Sequence, residues 1–215
     1  MVIGGAGFIG CNIVRRLLDE GKDVVVVDNL SRRGAESNLE WLRSFGDYAF
    51  VRADVRDQDA MTRLFADGGW DVETVVHLAG QVAVTTSIVN PREDFEINAL
   101  GTLNILESIR LSGQRPLIIY ASTNKVYGGM ENIVIEETDT RYRYRDYPMG
   151  IAETMSLDFH SPYGCSKGTG DQYVRDYARV YGIPSVVFRQ SCIYGRRQFG
   201  VEDQGWVAWF VIAAV

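Results

Sequence analysis

Short β-branched runs alternate along the chain with segments in which apolar residues recur every three or four positions, the mark of strands followed by helices packed through one face. Met1, Val2 and Ile3 lead into a glycine-rich turn, after which Ile13, Val14, Leu17 and Leu18 keep helical spacing until Gly21. Residues 23–27 form the second apolar run. A helix over about 36–45, a strand over 48–52, a helix with Met61, Leu64 and Phe65 on one face and a strand over 72–78 follow. Asn90 and Pro91 open the longest helix, with Phe95, Leu100, Leu103 and Leu106 expected on its buried side. A strand over 116–120 comes next. Residues 129–160 show no sustained period. Tyr173, Val174, Tyr177, Ala178 and Tyr181 then mark a helix running to Gly182, residues 184–188 a sixth strand, and residues 205–212 an apolar helix. Such alternation predicts an α/β fold with a doubly wound parallel sheet covered by helices on both faces, and ligands at the carboxyl ends of its strands.

The candidate chemistry falls at those ends. Gly4, Gly7 and Gly10 lie between the first strand and the first helix, and Asp28 closes the second strand eighteen residues beyond Gly10. Glycines admit a pyrophosphate to the backbone, the helix N-terminus offers free N–H groups, and a carboxylate at Asp28 accepts from ribose hydroxyls. The charge on Asp28 repels a 2′-phosphate, so NAD is expected over NADP, with Arg32 and Arg33 just downstream as a counterweight. Asp54 is placed near the adenine, Leu78, Ala79, Gly80 and Gln81 at a close backbone approach, and Thr123 at the sheet's carboxyl edge. Tyr163 and Lys167 stand four residues apart at the start of a helix, so they share a face, and an ammonium beside a phenol favours the phenolate. Eleven tyrosines and three lysines give on the order of 0.15 such pairs by chance, so the pair gains its meaning from the sites around it.

Composition removes whole classes. Twenty-eight acidic against twenty-two basic side chains, net charge −6, argue against nucleic-acid binding through phosphate neutralisation. The Arg141, Arg143, Arg145 run reads as a solvated loop. Three cysteines, Cys11, Cys165 and Cys192, odd in number and far apart, suit a reducing compartment, and Cys192, without a base partner, is expected to be packed. No apolar run of membrane length and no signal peptide is found, so a soluble, cytoplasmic protein with no membrane partner is expected. With two histidines, His77 and His160, and no ligand spacing around them, no metal site is expected.

The glycine motif, Asp28, Asp54-Val55, His77-Leu78-Ala79-Gly80, Thr123, Tyr163-x-x-x-Lys167 and Arg189-x-x-x-x-Tyr194-Gly195 together resemble the extended short-chain dehydrogenase/reductase superfamily of nucleotide-sugar enzymes, across essentially the whole chain. Longer strings, among them 122–128, 158–168, 171–173, 197–199 and 203–207, resemble its 2-epimerases of CDP-sugars. The resemblance implies a Rossmann domain over 1–215, with 129–160 a long loop near the site and 201–215 the start of a substrate-binding region. It implies Thr123, Tyr163 and Lys167 as the catalytic set. Tyr163 is the acid/base, Lys167 lowers its pKa and holds the nicotinamide ribose, and Thr123 bonds the reacting hydroxyl. It places Gly4, Gly7, Phe8, Ile9, Gly10, Asp28, Asn29, Ser31, Arg32, Asp54, Val55, Leu78, Ala79, Gly80, Gln81 and Asn98 on NAD, together with Tyr163 and Lys167. Thr86, Thr123, Asn124, Ser191 and Arg197 fall on the nucleotide-sugar substrate. A homo-oligomer is implied for the full-length parent.

Ile3 stands where the superfamily commonly has threonine, and Arg196 where a small residue or proline is usual. Family members also continue into a C-terminal lobe, so the expectation is a fragment that alone binds dinucleotide weakly and turns over nothing. Three activities compete for the parent: 2-epimerisation through a transient 2-keto sugar, 4-epimerisation with the same Tyr/Lys/Thr set, and a silent dinucleotide-binding or regulatory role. A 4,6-dehydratase calls for an Asp-Glu pair after Thr123, where this chain has Asn124 and Lys125. Residues 129–160 are expected either as a flap over the sugar or as a surface excursion.

Overall fold

The computed structural model describes residues 1–66, 69–201 and 204–215, so Asp203 of the 203–207 string lies outside the described residues. Six parallel strands form the main sheet: β1 (Val2–Ile3), β2 (Val25–Asp28), β3 (Ala49–Arg52), β4 (Thr74–His77), β5 (Leu117–Thr123) and β8 (Ser185–Gln190). Their order is β3-β2-β1-β4-β5-β8. The chain therefore winds one way from β1 to β3 and the other way from β4 to β8, and the two halves part at β1 and β4. That switch point is where a doubly wound sheet opens a crevice at its carboxyl edge.

Adjacent strand residues divide between the faces as the pleat requires. Ile3, Val27 and Val75 enter a core with α3 (Gln58–Ala66), α6 (Gly101–Ser112) and α7 (Ser161–Tyr181). Val2, Val26 and Val76 enter a second core with α1 (Phe8–Asp19) and α2 (Ala35–Leu42). The second layer stops short of β8, where Val186 and Phe188 stay exposed. Between β4 and α6 lie two short helices, α4 (Val84–Val89) and α5 (Pro91–Phe95), neither resolved by the periodicity as a separate element. No helix among the described residues is long and apolar enough to cross a membrane.

The long helix departs from its expected face. Asn90 accepts from the Glu93 N–H and Pro91 sits in the first turn, as capping chemistry predicts. Glu96–Leu100 then forms a π-turn that joins α5 to α6. Phe95 and Leu100 are left 53% and 37% exposed, and the buried stripe runs through Asp94, Asn98, Thr102, Ile105 and Ile109. Apolar periodicity misses such a stripe because its first three members are polar and buried only by virtue of hydrogen-bond partners on neighbouring elements.

Residues 129–160 contain a small antiparallel hairpin, β6 (Ile135–Glu137) with β7 (Tyr142–Tyr144), that the absence of a period concealed. Arg143 and Arg145 both pair with Glu136 there, and both are exposed. α8 (Trp206–Ala213) closes the described chain, with Trp206, Phe210, Val211 and Ile212 exposed.

His77 is a buried member of β4, its Nε2 3.0 Å from Thr102 Oγ1. Thr102 gives its own proton to the Asn98 carbonyl, so His77 Nε2 must be the donor and Nδ1 carries the lone pair. Burial, with the Lys167 charge adding to it, pulls the imidazole down to about 3. The unfolded chain protonates near 6.5 and the folded chain does not, so acid favours unfolding between those values. The parent is expected to lose about 1.4 kcal/mol of stability per pH unit below 6.5 relative to His77→Gln, read by urea unfolding between pH 7 and 5. Parallel stability curves for the two proteins would contradict this.

Candidate active site

One cavity of about 800 Å³ follows the carboxyl edge of the sheet across the switch point. Its wall begins at the glycine turn. Gly4 has φ +84°, donates to the Val27 carbonyl at 2.7 Å and lies so close to the 78–79 backbone that an added Cβ would sit 2.5 Å from the Ala79 nitrogen. A Cβ on Gly10 would meet the Gly4 oxygen at 2.1 Å. These glycines let the turn fold flat under the N-terminus of α1, whose N-cap, Gly7, has no side chain to block approach.

Asp28 stands at the tip of β2, buried beside this turn. Oδ2 accepts from the Ala6 N–H at 3.0 Å and Oδ1 from the Leu30 N–H at 2.8 Å, so the carboxylate both shapes the turn and faces the cavity. Burial raises its pKa, against the pull of those backbone donors. Asp54 follows β3. Arg56 grips it with its backbone N–H at 2.9 Å and two guanidinium hydrogen bonds, 3.0 and 2.8 Å, Asn29 Nδ2 adds a fourth at 2.8 Å, and the Arg56 guanidinium holds the carboxyl down at about 2. Phe8, Ile9, Ser31, Arg32, Val55, Leu78, Ala79, Gly80 and Gln81 complete this half of the lining, as the sequence places them. The open cradle, the free helix end and a carboxylate at the β2 tip fit a dinucleotide.

Asp28→Asn keeps an acceptor and removes the charge. It is expected to narrow the preference for NAD over NADP by about tenfold or more, the worth of one charged hydrogen bond, in parallel titrations with the two dinucleotides. An unchanged ratio would count against Asp28 as the ribose carboxylate.

The other half carries acid/base groups. Thr123 ends β5 and its Oγ1 accepts from the Lys125 N–H, capping the 3₁₀ turn Asn124–Tyr127. Ser161–Tyr181 brings Tyr163 and Lys167 to the same wall, with Pro162 in its first turn and the Tyr163 N–H donating to Ser87 Oγ. Lys167 is buried, with Nζ 4.4 Å above the Tyr120 ring. Burial lowers its pKa to about 8, while the charges of Asp94 and Asp171 oppose that fall. Tyr163 departs from expectation: burial pushes the phenol up, the Thr123 hydroxyl pulls it back, and Asp94 raises it again. In this structure desolvation outweighs any lowering by Lys167.

Thr86, Asn124 and Ser191 line the cavity, and Arg197 does not. Its guanidinium bonds Asn38 Oδ1 at 2.9 Å and Ser37 and lies over Trp41 and Phe199, so its bonds tie the segment after β8 to α2 instead of reaching a sugar. Asn98 is also displaced from its expected contact: it sits behind the wall, where its amide takes the Gln81 N–H and returns a hydrogen bond to the Gln81 carbonyl, both 3.0 Å. Cys192, expected to be packed, is exposed and faces the cavity. None of residues 129–160 lines it. Arg189 forks onto Asp171 at 2.9 and 3.0 Å and reaches the Tyr127 hydroxyl, a structural tie between β8 and α7. No group of three His, Cys, Asp or Glu among the described residues is arranged to hold a metal.

Sequence reasoning passed over Asp94, Ser166 and Asp171. The signal for Asp94 was its place one helical turn before Asn98, on the same face.

The family model described as the NAD dependent epimerase/dehydratase family matches residues 1–215. A CDP-paratose 2-epimerase of Salmonella typhi is 53% identical over all of this chain and 63% of its own length. A putative UDP-glucose 4-epimerase of Methanocaldococcus jannaschii is 35% identical over 98% of the chain and 61% of its own length. Among solved structures, the UDP-glucose 4-epimerase of Thermotoga maritima with UDP-glucose superposes with a TM-score of 0.77 at 33% identity, covering 96% of this chain and 60% of that one. The Thermus thermophilus UDP-glucose 4-epimerase, solved with NAD, gives 0.74 at 33% identity over 96% of this chain and 59% of that one. The chain thus spans about three fifths of the length of the relatives it matches. With its glycine cradle, Asp28 and the Tyr163/Lys167 pair on one cavity, this chain belongs to the NAD dependent epimerase/dehydratase family.

Proposed function

We propose that these residues form the NAD-binding and acid/base half of a nucleotide-sugar epimerase that inverts C2 of CDP-paratose. The observation that carries the reading is the convergence of Thr123, Tyr163 and Lys167 on the cavity that the glycine turn and Asp28 also line. The 53% identity to a CDP-paratose 2-epimerase over the whole chain supports the choice of sugar.

A dinucleotide held by the glycine turn and Asp28 would supply a reversible hydride acceptor, so the reaction would need no net oxidation. The chain's own residues manage the proton. Tyr163 as phenolate takes it from the C2 hydroxyl, Thr123 holds that hydroxyl by a hydrogen bond, and the Lys167 ammonium stabilises the phenolate. If the 2-keto sugar turns over, the hydride would return to the other face of C2 while Tyr163 gives the proton back to the oxygen, and the centre is inverted. Asn124 and Lys125 follow Thr123, so no carboxylic acid stands there to expel water, which disfavours dehydration.

A 4-epimerase is the second reading, favoured by the UDP-glucose 4-epimerases of similar sequence and structure. The same Tyr/Lys/Thr set serves both, because the carbon is chosen by how the sugar is held. A protein in which Val215 is continued by the remainder of the Salmonella typhi relative, incubated with NAD and CDP-paratose, is expected to yield the C2-inverted sugar by NMR. Inversion at C4, or no product in a folded NAD-binding chimera, would overturn the C2 assignment. A cytoplasmic setting belongs to the same reading and is supported by three free cysteines. So does a homo-oligomer of the full-length protein, supported by exposed Phe95 and Leu111 on the long helix and Val180 and Tyr181 on α7.

A further inference from the structure

Two buried carboxylates flank Lys167, and they are not equivalent. Asp171 is neutralised in place by the two-pronged bond from Arg189 and accepts from Ser122 Oγ besides. Asp94 is 1% exposed, and its hydrogen-bond partners are neutral: Ser166 Oγ donates to Oδ2 at 2.5 Å, and Asn98 Nδ2 donates to Oδ1 at 3.2 Å. No basic side chain among the described residues forms an ion pair with it, although the adjacent Glu93 reaches Arg56. Burial raises the Asp94 pKa, while the Ser166 hydrogen bond, the Lys167 charge and the Asn98 hydrogen bond pull it back, so the ionised carboxylate draws on a nearby cation. The cation is close in the chain and in space. Ser166 precedes Lys167 on α7, and Asn98 Oδ1 and Lys167 Nζ both stand over Gly80, 2.9 and 3.8 Å from where its Cβ would be.

We propose that Asp94 is a positioning residue for Lys167, a buried counter-ion that keeps its ammonium charged and is itself fixed by Ser166 and Asn98. The proposal rests on the reading of Lys167 as the partner of Tyr163. It assigns a role to the polar stripe of the long helix: the carboxylate is delivered to α7 through hydrogen bonds from Ser166 and Asn98, and Asn98 at the same time fixes the Gln81 backbone at the cavity wall. The groups that face Lys167 are Asp94 on α5, Asp171 and Tyr163 on α7, Tyr120 on β5 and His77 on β4, the last neutral. Of these, Asp94 is the one whose negative charge no arginine cancels. The same charge disfavours the Tyr163 phenolate, so Asp94 trades some acidity of the phenol for a persistent ammonium beside it.

The chain has three lysines, so lysine labelled with ¹³C at Cε gives three signals, assigned with Lys22→Arg and Lys125→Arg. Asp94→Asn is isosteric and removes the charge alone. It is expected to lower the Lys167 titration midpoint by about one pH unit or more, while Ser166→Ala, which keeps the charge, moves it by less than half as much. By reciprocity, Lys167→Met is expected to raise the midpoint of the Asp94 carboxyl carbon, a reading that stands even where Asp94→Asn does not fold. An unchanged Lys167 midpoint in folded Asp94→Asn, or an unchanged Asp94 midpoint in Lys167→Met, overturns the proposal. These titrations need no turnover, so their outcome is separate from that of the epimerase reading.

Discussion

Gly10→Ala is expected to abolish measurable NAD binding and to destabilise the protein by about 1–3 kcal/mol, the cost of overpacking a site that cannot relax. The new Cβ would lie 2.1 Å from the Gly4 oxygen, 2.7 Å from the Gly5 Cα and 2.9 Å from the Gly4 carbonyl carbon, all backbone atoms. Something must move, and the candidate is Gly4. That residue is pinned between its hydrogen bond to Val27 and the 78–79 backbone, which itself bonds Ile3 through the Leu78 and Ala79 N–H groups at 2.8 and 3.0 Å. The strain therefore spreads into the 78–79 backbone, which lines the cavity. Gly21→Ala is the control: it also has a positive φ, +68°, but nothing lies within 4 Å of its added Cβ. It is expected to cost about 1 kcal/mol and to leave binding unchanged. Thermal unfolding with a dinucleotide titration on both variants checks the pair.

Tyr163→Phe is expected to lower turnover by about 10²–10⁴-fold in the chimera that carries the remainder of the relative, the range for loss of a positioned acid/base. Its NAD affinity should stay within a few-fold of the parent. The change deletes one hydroxyl and keeps the ring against the cavity wall, and the N–H that bonds Ser87 belongs to the backbone. Stability should hardly move, since Tyr163 is only half-buried and its ring is retained. Steady-state rates by NMR, with binding measured separately, separate this result from a folding defect. Equal loss of binding and turnover would make Tyr163 a structural residue.

What the sequence disclosed about this site was the part fixed by local backbone chemistry. The glycine turn needs its residue types at set spacing because the clashes that forbid a Cβ are backbone clashes, and Asp28 follows because β2 ends level with that turn. Tyr163 and Lys167 were legible for the same reason: four residues on a helix is a distance in space. The π-turn at Glu96–Leu100 was not legible, and with it went the register of the long helix, so Phe95 and Leu100 were given the face that Asp94 and Asn98 occupy. A buried polar stripe has no hydrophobic signature, and its partners lie as many as 72 positions away in the chain. Arg197 shows the converse error. The family resemblance assigns it to the substrate, but a guanidinium that finds Asn38, Ser37 and the Trp41 ring within reach is satisfied on α2. Cys192 follows no pattern at all, and its exposure comes from the path of the segment after β8.

The central claim is that this chain holds NAD between the glycine turn and the Tyr163/Lys167 wall, and saturation-transfer NMR of NAD tests it most directly because it registers weak binding. The account predicts transfer to both adenine and nicotinamide protons in the 215-residue chain, lost in Gly10→Ala and retained in Tyr163→Phe. No transfer in the parent, or transfer that survives Gly10→Ala undiminished, would contradict it.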